Sequence, residues 1–395
     1  MERIIFHIDV NSAFLSWSAI KLLKEGYKKD IRKEVAVIAG APNKRHGVIV
    51  AASIPAKKIG IKSPSNLFEA RKKCRDLIVV RPDHEFYSKC SKALMKYLKN
   101  LFPDLEQYSI DECFIDYTSM KTMYGDPVKC AYKLKNSIYK KFGFTVNVGI
   151  GNSKLCAKMA SDFEKPNKVH TLFDNEIKEK MWPLDISDLF MAGKSICAKL
   201  RTLGINTIGD LANYDKDKLI YTFKSHGKML FEYANGIDES KVESEKSEKK
   251  GIGFSRTLEY DVENKNEIYG YLKEFSGKIS KSLKNASMYS NVFVVTIRYD
   301  NFKTVNHQKK YTNSTNKEEQ IFEYAKEIFD KLWNKEPIRL IGLRASSLSH
   351  NKDLQLSLFD QNDKMIKDDK IDELIDKINK DFGSNTLFKG SKIKR

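Results

Sequence analysis

Three acidic residues lie in two short segments that are widely separated along the chain. Asp9 ends the apolar pattern of IIFHIDVNSAF, and Asp111 and Glu112 stand side by side in YSIDECFID. Neighbouring residues of a strand face opposite ways, but at a hairpin turn both can approach one point. Hard cations such as Mg²⁺ bind oxygen ligands of this kind. The carboxylates therefore predict a metal site; the alternative is an acidic surface turn beside an unrelated buried aspartate.

The charge of the chain suggests what such a metal site would act on. Its 395 residues carry a net charge of +18, and a chain this basic most often binds a polyanion, nucleic acid first. A general lysine bias is the alternative, and no apolar run approaches the roughly 18 residues of a membrane span. Two Mg²⁺ ions about 3.5–4 Å apart stabilise both oxygens of an in-line displacement. Together these features predict metal-assisted phosphoryl transfer on a nucleic acid.

Length and cysteine usage set the organisation and the compartment. A chain of 395 residues predicts roughly two to four domains. The six cysteines are irregularly spaced and form no CxxC pair, which argues against a zinc site and a disulfide framework. The N-terminus enters a strand at once and lacks a signal peptide, so we expect a cytoplasmic protein.

The order of predicted elements favours an α/β (α+β) architecture. A strand at 1–10, a helix at 84–100, a strand–turn–strand at 105–118, a helix at 126–141 and the strand FTVNVGIG give β–α–β–β–α–β, which suits a ferredoxin-like sandwich. The basic stretch 21–75, with one short strand EVAVIAG, is inserted early. From about 166 to 240 strands disappear, and KVESEKSEKK then reads as a solvated linker. Residues 252–348 again predict β–α–β–β–α–β.

Three further motifs could bind phosphate, DNA or a partner protein. GIGNSK (149–154) is a strand-to-helix turn without P-loop spacing. The segments 190–205 and 223–237 resemble helix–hairpin–helix elements, whose glycine turns would lie at Gly193 and Gly227 and would hold a DNA phosphate; simple helical hairpins are the alternative. QLSLF (355–359) is an apolar cluster in a polar tail, and predicts either a partner-binding peptide or a strand packed on the last domain.

The chain resembles the Y-family DNA polymerases, the translesion class, in three segments: HIDVNSAF, YSIDECFID and GIGNSKLCAKMASDFEKPN. The resemblance covers about residues 1–350 and extends to the tail. It implies a right hand with a ferredoxin-like palm (1–10 and 76–165), small fingers (11–75), a helix–hairpin–helix thumb (166–240), a linker (241–250), a βαββαβ little finger (251–350) and a tail (351–395).

The resemblance also implies roles for individual residues. Asp9, Asp111 and Glu112 would be catalytic metal ligands for two Mg²⁺ ions, with the Val10 carbonyl completing one site. The nucleotide would contact Ser12, Ala13, Lys57 and Lys165, with Phe14 as the steric gate under its sugar. Ile54 and Lys57 depart from the commoner tyrosine and arginine; lysine keeps the charge but loses the bidentate fork. DNA contacts are expected at Gly193, Lys194, Gly227, Lys228, Arg256 and Arg344. A sliding clamp would bind Gln355, Leu356, Leu358 and Phe359.

The implied activity is template-directed, low-fidelity transfer of a nucleotide from a dNTP to a primer 3′-OH, in DNA damage tolerance and repair, by a monomer. Two rivals remain. A nucleotide cyclase also uses a ferredoxin-like palm with two metals, but has little use for helix–hairpin–helix elements, a second basic α/β unit or a clamp peptide. A non-catalytic DNA-binding scaffold explains the charge but not the intact acidic set.

Overall fold

The computed structural model describes residues 2–40, 47–245 and 248–351, with a few further residues between 374 and 387. The chain divides into two compact units, residues 1–247 and 248–395. The predicted clamp peptide at 355–359 lies outside the described residues, as does most of the tail. Among the helices that the structure describes, none is long and apolar enough to cross a membrane.

The first unit holds two sheets and a run of short helices. Its elements in chain order are β1 (Ile5–Val10), α1 (Ala13–Lys24), β2 (Ala36–Ala39), β3 (Val48–Ala52), α2 (Ile54–Lys58), β4 (Ser65–Asn66), α3 (Leu67–Lys73), β5 (Ile78–Val80), α4 (His84–Leu101), β6 (Leu105–Gln107), β7 (Glu112–Asp116), α5 (Lys121–Tyr124), α6 (Pro127–Phe142), β8 (Val146–Gly151), α7 (Lys154–Asp162), β9 (Val169–Leu172), α8 (Lys194–Thr202), α9 (Ile208–Ala212), α10 (Lys216–Phe223) and α11 (Ser225–Ala234).

The main sheet has the strand order β6-β7-β1-β8-β9. Strand β1 runs antiparallel to both β7 and β8, at the centre of the sheet. The predicted β–α–β–β–α–β order is confirmed in β1, α4, β6, β7, α6 and β8. The prediction that strands disappear after residue 166 was wrong, because β9 adds to this sheet parallel to β8. It has four residues and only Leu172 is buried, so it carries little hydrophobic pattern.

Alternate residues of β1 face two different layers, as the period of a strand requires. Phe6 and Ile8 pack with α4 and α6 in the main core. Ile5 and His7 face α7 instead, where the His7 imidazole Nδ1 lies 2.8 Å from the Ser161 hydroxyl. Asp9 has the same parity as His7 and therefore belongs to the α7 side of the sheet.

Helix α7 lies very close to strand β8, and a glycine makes this possible. A Cβ added at Gly149 would lie 1.9 Å from the carbonyl oxygen of Ala157, a separation that no side chain can occupy. The helix begins where the sequence predicts, because the Ser153 hydroxyl accepts a hydrogen bond from the Cys156 amide. The motif GIGNSK thus seats α7 against the sheet.

The basic insertion forms a small sheet of its own, with the order β4-β3-β2-β5. Only β2 was predicted from the sequence. The other strands have two to five residues, and all three are partly exposed. Their pattern is therefore too short to distinguish from loop.

The two predicted glycine turns of the helical region differ in the structure. Gly193 precedes α8 as its N-terminal cap. Gly227 does not lie in a turn, contrary to the prediction: it is buried inside α11, where an added Cβ would come within 2.2 Å of the Leu219 carbonyl oxygen. The turn before α11 is made by Lys224, with a positive φ of 58°. Gly227 allows α10 and α11 to approach each other.

The segment expected to be a solvated linker is partly docked. Val242 packs against Ile5, Phe114 and Ala157. The Glu243 amide donates to the Glu106 carboxylate at 2.9 Å. The prediction was therefore wrong for the start of this segment, where one apolar residue is enough to anchor the chain.

Between residues 248 and 351 the second unit contains β10 (Gly251–Val262), α12 (Lys265–Asn285), β11 (Tyr289–Tyr299), β12 (Thr304–Thr315), α13 (Glu318–Leu332) and β13 (Ile338–Ser349). This confirms the second β–α–β–β–α–β pattern. Its antiparallel sheet has the order β10-β13-β11-β12, which differs from the main sheet of the first unit. Helix α12 buries one apolar face, formed by Ile268, Leu272, Phe275, Ile279 and Leu283.

Candidate active site

The acidic residues meet at one end of the two central strands of the main sheet. Asp9 in β1 lies directly opposite Glu112 in β7, and residues opposite each other in an antiparallel pair point to the same face. Asp111 lies in the turn just before β7, and its carbonyl oxygen accepts a hydrogen bond from the Val10 amide at 3.1 Å. The structure therefore places the three predicted acids at the same end of two neighbouring strands.

Ser109 shapes the turn that carries the two neighbouring acids. Its hydroxyl donates to the Asp111 carboxylate at 2.7 Å and accepts from the amides of Asp111 and Glu112 at 3.2 and 3.0 Å. Because one hydroxyl binds three groups, the turn and the Asp111 carboxylate are fixed together. Ser109 was not predicted from the sequence, although serine hydroxyls often hydrogen-bond the nearby backbone in turns.

Two lysines neutralise the acids of this sheet end. The Lys165 ammonium forms an ion pair with the Asp9 carboxylate and another with Asp162 at 2.7 Å. The Lys158 ammonium lies 3.1 Å from the Glu112 carboxylate. Lys165 was expected to contact nucleotide phosphates, whereas Lys158 was not predicted at all. A lysine among the buried residues of α7 was the available signal.

Burial dominates the electrostatics of Asp9. The side chain is only 10% exposed, and burial raises the pKa of Asp9 to about 6, even though Lys165 opposes this rise. The nearby Glu112 and Asp111 charges raise it further. Burial alone would lower the pKa of Lys165, but the Asp9 and Asp162 carboxylates outweigh it and raise the pKa, so this lysine stays protonated.

The donor set fits a hard divalent cation in its chemistry. Asp9, Asp111 and Glu112 offer carboxylate oxygens, and a buried carboxylate whose pKa is raised gains from a cation. Within residues 2–40, 47–245 and 248–351, however, no three acidic, histidine or cysteine side chains are already grouped closely enough to hold a metal. Two of the three acids are instead paired with an ammonium, Asp9 with Lys165 and Glu112 with Lys158.

The predicted nucleotide-contacting residues gather beside the acids at the start of α1. Ser12 has a left-handed backbone with φ 46°, and its hydroxyl does not cap the helix. It accepts a hydrogen bond from the Lys57 ammonium at 3.2 Å instead. Ala13 begins α1, and the first-turn amides of a helix have no intrahelical acceptor. A lysine, a hydroxyl and helix amides are thus directed to one place that suits phosphate oxygens.

Phe14 is held in place by aromatic neighbours. Its ring stacks on Tyr87 with centroids 4.7 Å apart, and His84 meets it edge-on at 6.0 Å. The Tyr87 hydroxyl in turn lies 2.6 Å from the Ser18 hydroxyl. Phe14 is half-buried, so part of its side chain remains accessible. Ile54, in α2, is 45% exposed.

The predicted DNA-contacting residues fall into two groups. Gly193 and Lys194 are exposed at the start of α8, where helix amides can hold a phosphate. Gly227 is buried and its amide donates to the Lys224 carbonyl oxygen at 3.1 Å, so it is not available to a phosphate. Lys228, on the same helix, is 58% exposed and lies 3.9 Å from Glu232.

In the second unit, the two predicted arginines lie on opposite faces of the sheet. Arg256 shares its parity with the buried Leu258 and forms two hydrogen bonds, at 2.9 and 2.6 Å, with Glu274 of α12. Arg344 lies between the buried Leu343 and Ala345, and is therefore exposed on the face opposite to the helices. The structure does not bring Arg256 and Arg344 together.

Comparison with known proteins finds two matching family models and close sequence relatives. The model of the impB/mucB/samB family matches residues 8–162, and that of its C-terminal domain matches residues 249–358. The chain is 43% identical to DNA polymerase IV of Clostridium acetobutylicum, over 98% of each chain. It is 31% identical to DNA polymerase IV 1 of Bacillus subtilis, over 100% of this chain and 94% of that one.

A solved structure supports the fold. The Y-family DNA polymerase chimera Dbh-Dpo4(243-245)-Dbh superimposes with a TM-score of 0.75 over 88% of this chain and 100% of its own, at 21% identity. The right-hand fold expected from the sequence is thereby confirmed. With two family models matching most of its length and relatives at up to 43% identity, the chain belongs to the impB/mucB/samB family and is a Y-family, translesion-type DNA polymerase.

Proposed function

We propose that this chain extends a primer 3′-OH on a DNA template, using dNTPs and two Mg²⁺ ions, in low-fidelity synthesis past damage. The observation that carries the proposal is the pairing of Asp9 with Glu112 across the central strands, beside Asp111 in the adjoining turn. Members of this family use divalent cations in general, and hard oxygen donors favour Mg²⁺.

Asp9, Asp111 and Glu112, with the Val10 carbonyl, are the proposed metal ligands. These residues would hold two Mg²⁺ ions, which would supply charge stabilisation for the attacking and the leaving oxygen. The acids hold negative charge ready for the ions, at a sheet end where burial keeps water away from Asp9. Lys165 neutralises the Asp9 carboxylate through its ion pair. Because its side chain is 38% exposed, it can turn from Asp9 toward a phosphate.

Ser12, Ala13 and Lys57 are proposed to hold the triphosphate, with Phe14 beneath the sugar. The hydrogen bond between Lys57 and Ser12 supports this assignment, because it directs a cation and a hydroxyl to one point without using either as a helix cap. The stack of Phe14 on Tyr87 supports the steric gate, since a gate must not yield when a ribose presses against it.

DNA is proposed to contact Gly193, Lys194 and Lys228 in the helical region and Arg344 in the second unit. Arg256 is a weaker candidate, because its guanidinium already binds Glu274. Contacts with phosphates predict a steep loss of affinity with salt and little dependence on sequence. A flat dependence of log K on log[salt] would contradict this part of the proposal.

The tail is proposed to bind a sliding clamp through Gln355, Leu356, Leu358 and Phe359, residues outside those the structure describes. A few apolar anchors can supply most of a peptide's binding energy, and tethering raises the effective concentration of polymerase at the primer end. The double variant Leu356→Ala/Phe359→Ala should extend primers normally without clamp and lose stimulation by loaded clamp. A stimulation equal to that of the parent would place the clamp contact elsewhere.

The right-hand subdivision into palm, fingers, thumb and little finger is proposed with the predicted boundaries, and with the palm sheet continued to β9. The protein is further proposed to act as a cytoplasmic monomer. All six cysteines are free thiols, which suits a reducing compartment.

Primer extension is the deciding experiment. The purified chain, a primed DNA template, dNTPs and Mg²⁺ should give extended primers, while Asp111→Ala should give none and still bind primer–template, because DNA affinity resides in the basic residues. A cyclase would convert a nucleoside triphosphate to a cyclic product without template, and a scaffold would bind DNA without extending it. Extension by Asp111→Ala at the parent rate would remove the metal assignment.

A further inference from the structure

Lys158 is a buried lysine next to the proposed metal ligands. It lies in the middle of α7 and is 9% exposed; Lys135 is the other lysine that is buried among the described residues. Its ammonium lies 3.1 Å from the Glu112 carboxylate oxygen Oε1, and the two side chains are 11% and 21% exposed. Charge and burial are thus combined at one acid of the site.

Two aromatic rings confine the same ammonium. Tyr108 lies 5.6 Å and Phe190 5.4 Å from it, measured to the ring centroids. These rings also meet each other at 6.3 Å, nearly edge to face. A cation within about 6 Å of a ring face is attracted to it. Lys158 is therefore held by a carboxylate and two rings, from the turn before β7 and from the segment leading to Gly193.

The second lysine of the site is held in a different way. Lys165 follows α7, its side chain is 38% exposed, and Asp162 remains its partner if it leaves Asp9. Lys158 is in the body of the helix and packs between rings. One lysine is thus free to exchange partners, whereas the other is fixed.

We propose that Lys158 is a positioning residue that holds the Glu112 carboxylate in place for the metal. The inference rests on the proposed function, in which Glu112 is a metal ligand. A carboxylate has two oxygens, so Oε1 can stay on the ammonium while Oε2 meets a cation. Loss of an outer partner of a metal ligand typically costs about 10- to 100-fold in metal affinity or activity.

Lys158→Met tests the positioning role, because methionine keeps much of the buried stem and removes the charge. Its half-saturating Mg²⁺ concentration in primer extension should rise about tenfold or more, while the KM for dNTP changes little. Mn²⁺ binding measured by electron paramagnetic resonance, without dNTP, should weaken by a similar factor. Lys158→Arg, which retains the charge, should restore part of both.

The matched control is Lys154→Met on the same helix. Lys154 pairs with Glu106 at 2.6 Å, with side chains 15% and 18% exposed, and Glu106 is not a proposed ligand. This variant should melt at a lower temperature but keep the parent Mg²⁺ and Mn²⁺ dependence. Phe190→Leu removes one ring and keeps an apolar side chain. It should shift the Mg²⁺ and Mn²⁺ dependence in the same direction as Lys158→Met, but by less. This variant tests the inference if Lys158→Met does not fold.

Two outcomes would overturn the inference: parent-like Mg²⁺ and Mn²⁺ dependence in a folded Lys158→Met or Phe190→Leu protein, or an equal shift in Lys154→Met. Either result leaves the proposed function standing as long as the parent extends primers. If the parent extends no primer, it is the proposed function that fails, while the Mn²⁺ measurement still reports on Lys158 and Glu112.

Discussion

Asp9→Asn should abolish primer extension and stabilise the metal-free protein. Burial raises the pKa of Asp9 from 3.8 to about 6. The stability that the protonated Asp9 carboxyl contributes is therefore fully present below the unfolded-state pKa and is lost as the pH rises through 6. One pKa unit corresponds to about 1.4 kcal/mol. The ionised carboxylate therefore costs up to about 3 kcal/mol above pH 7, and an amide does not carry this cost.

The gain should be smaller than this limit, because Lys165 loses one of its two partners. Thermal unfolding of the first unit in EDTA, between pH 5 and pH 8, measures it. The difference between Asp9→Asn and the parent should widen as the pH rises from 5 to 7.5; about 1 kcal/mol corresponds to a few degrees in a domain of this size. Asp162→Asn is the matched control, since Asp162 binds the same lysine but is 51% exposed, and it should change little at any pH.

Divalent cations should act in the opposite sense. Mg²⁺ at about ten times its dissociation constant stabilises a protein by about 1.4 kcal/mol, and this should help the parent but not Asp9→Asn. The reasoning is refuted if Asp9→Asn melts below the parent in EDTA at pH 7.5, or if the difference between them does not depend on pH. Retained primer extension would refute the assignment of Asp9 itself.

Three further predictions concern other parts of the chain. Phe14→Ala should raise ribonucleotide incorporation by about 10- to 100-fold, measured by competition of rNTP with dNTP; unchanged discrimination would make Phe14 a packing residue only. Burial lowers the pKa of His7 well below its usual value, so the free energy of unfolding should fall by up to about 1.4 kcal/mol per pH unit as the pH drops below about 6.5. His7→Gln should reduce that slope in thermal unfolding measured at acidic pH, and an unaltered slope would contradict this prediction. Gly149→Ala should destabilise the first unit by about 3 kcal/mol, because its Cβ would collide with the Ala157 carbonyl oxygen; the control Gly270→Ala, in the open interior of α12, should stabilise the second unit by up to about 1 kcal/mol, and equal melting shifts would refute the packing argument.

Periodicity was sufficient for the framework of both units. Strands β1 and β8 are buried along their length, and α12 repeats its apolar positions every three or four residues, so each of these patterns had one interpretation. Strands β3, β4, β5 and β9 were not recognised, because each is short and only partly buried. Such strands exist through their neighbours in the sheet, and local sequence does not encode that pairing.

The acids of the site could be predicted because each stands at the end of an apolar run. Their counter-ions could not. Lys158 meets Glu112 where α7 packs closely on the sheet, an approach for which Gly149 leaves room, and this packing is a tertiary property. The same limit explains Gly227, which looks like a turn glycine in sequence but serves a helix contact. Arg256 could have been placed correctly, since it has the same parity as Ile252 and Leu258 on β10.

The arrangement of charge at the end of β1 indicates what the fold has been selected to do. A neutral side chain at Asp9 would suit a central strand better, because the carboxylate is buried, lies opposite Glu112 and is ionised at neutral pH only against its environment. Lysines reduce this cost without removing it. A local arrangement that lowers stability persists where function requires it. The unfavourable charge falls on Asp9, which is one of the three proposed metal ligands, so the energetics of the sheet end support that assignment for Asp9.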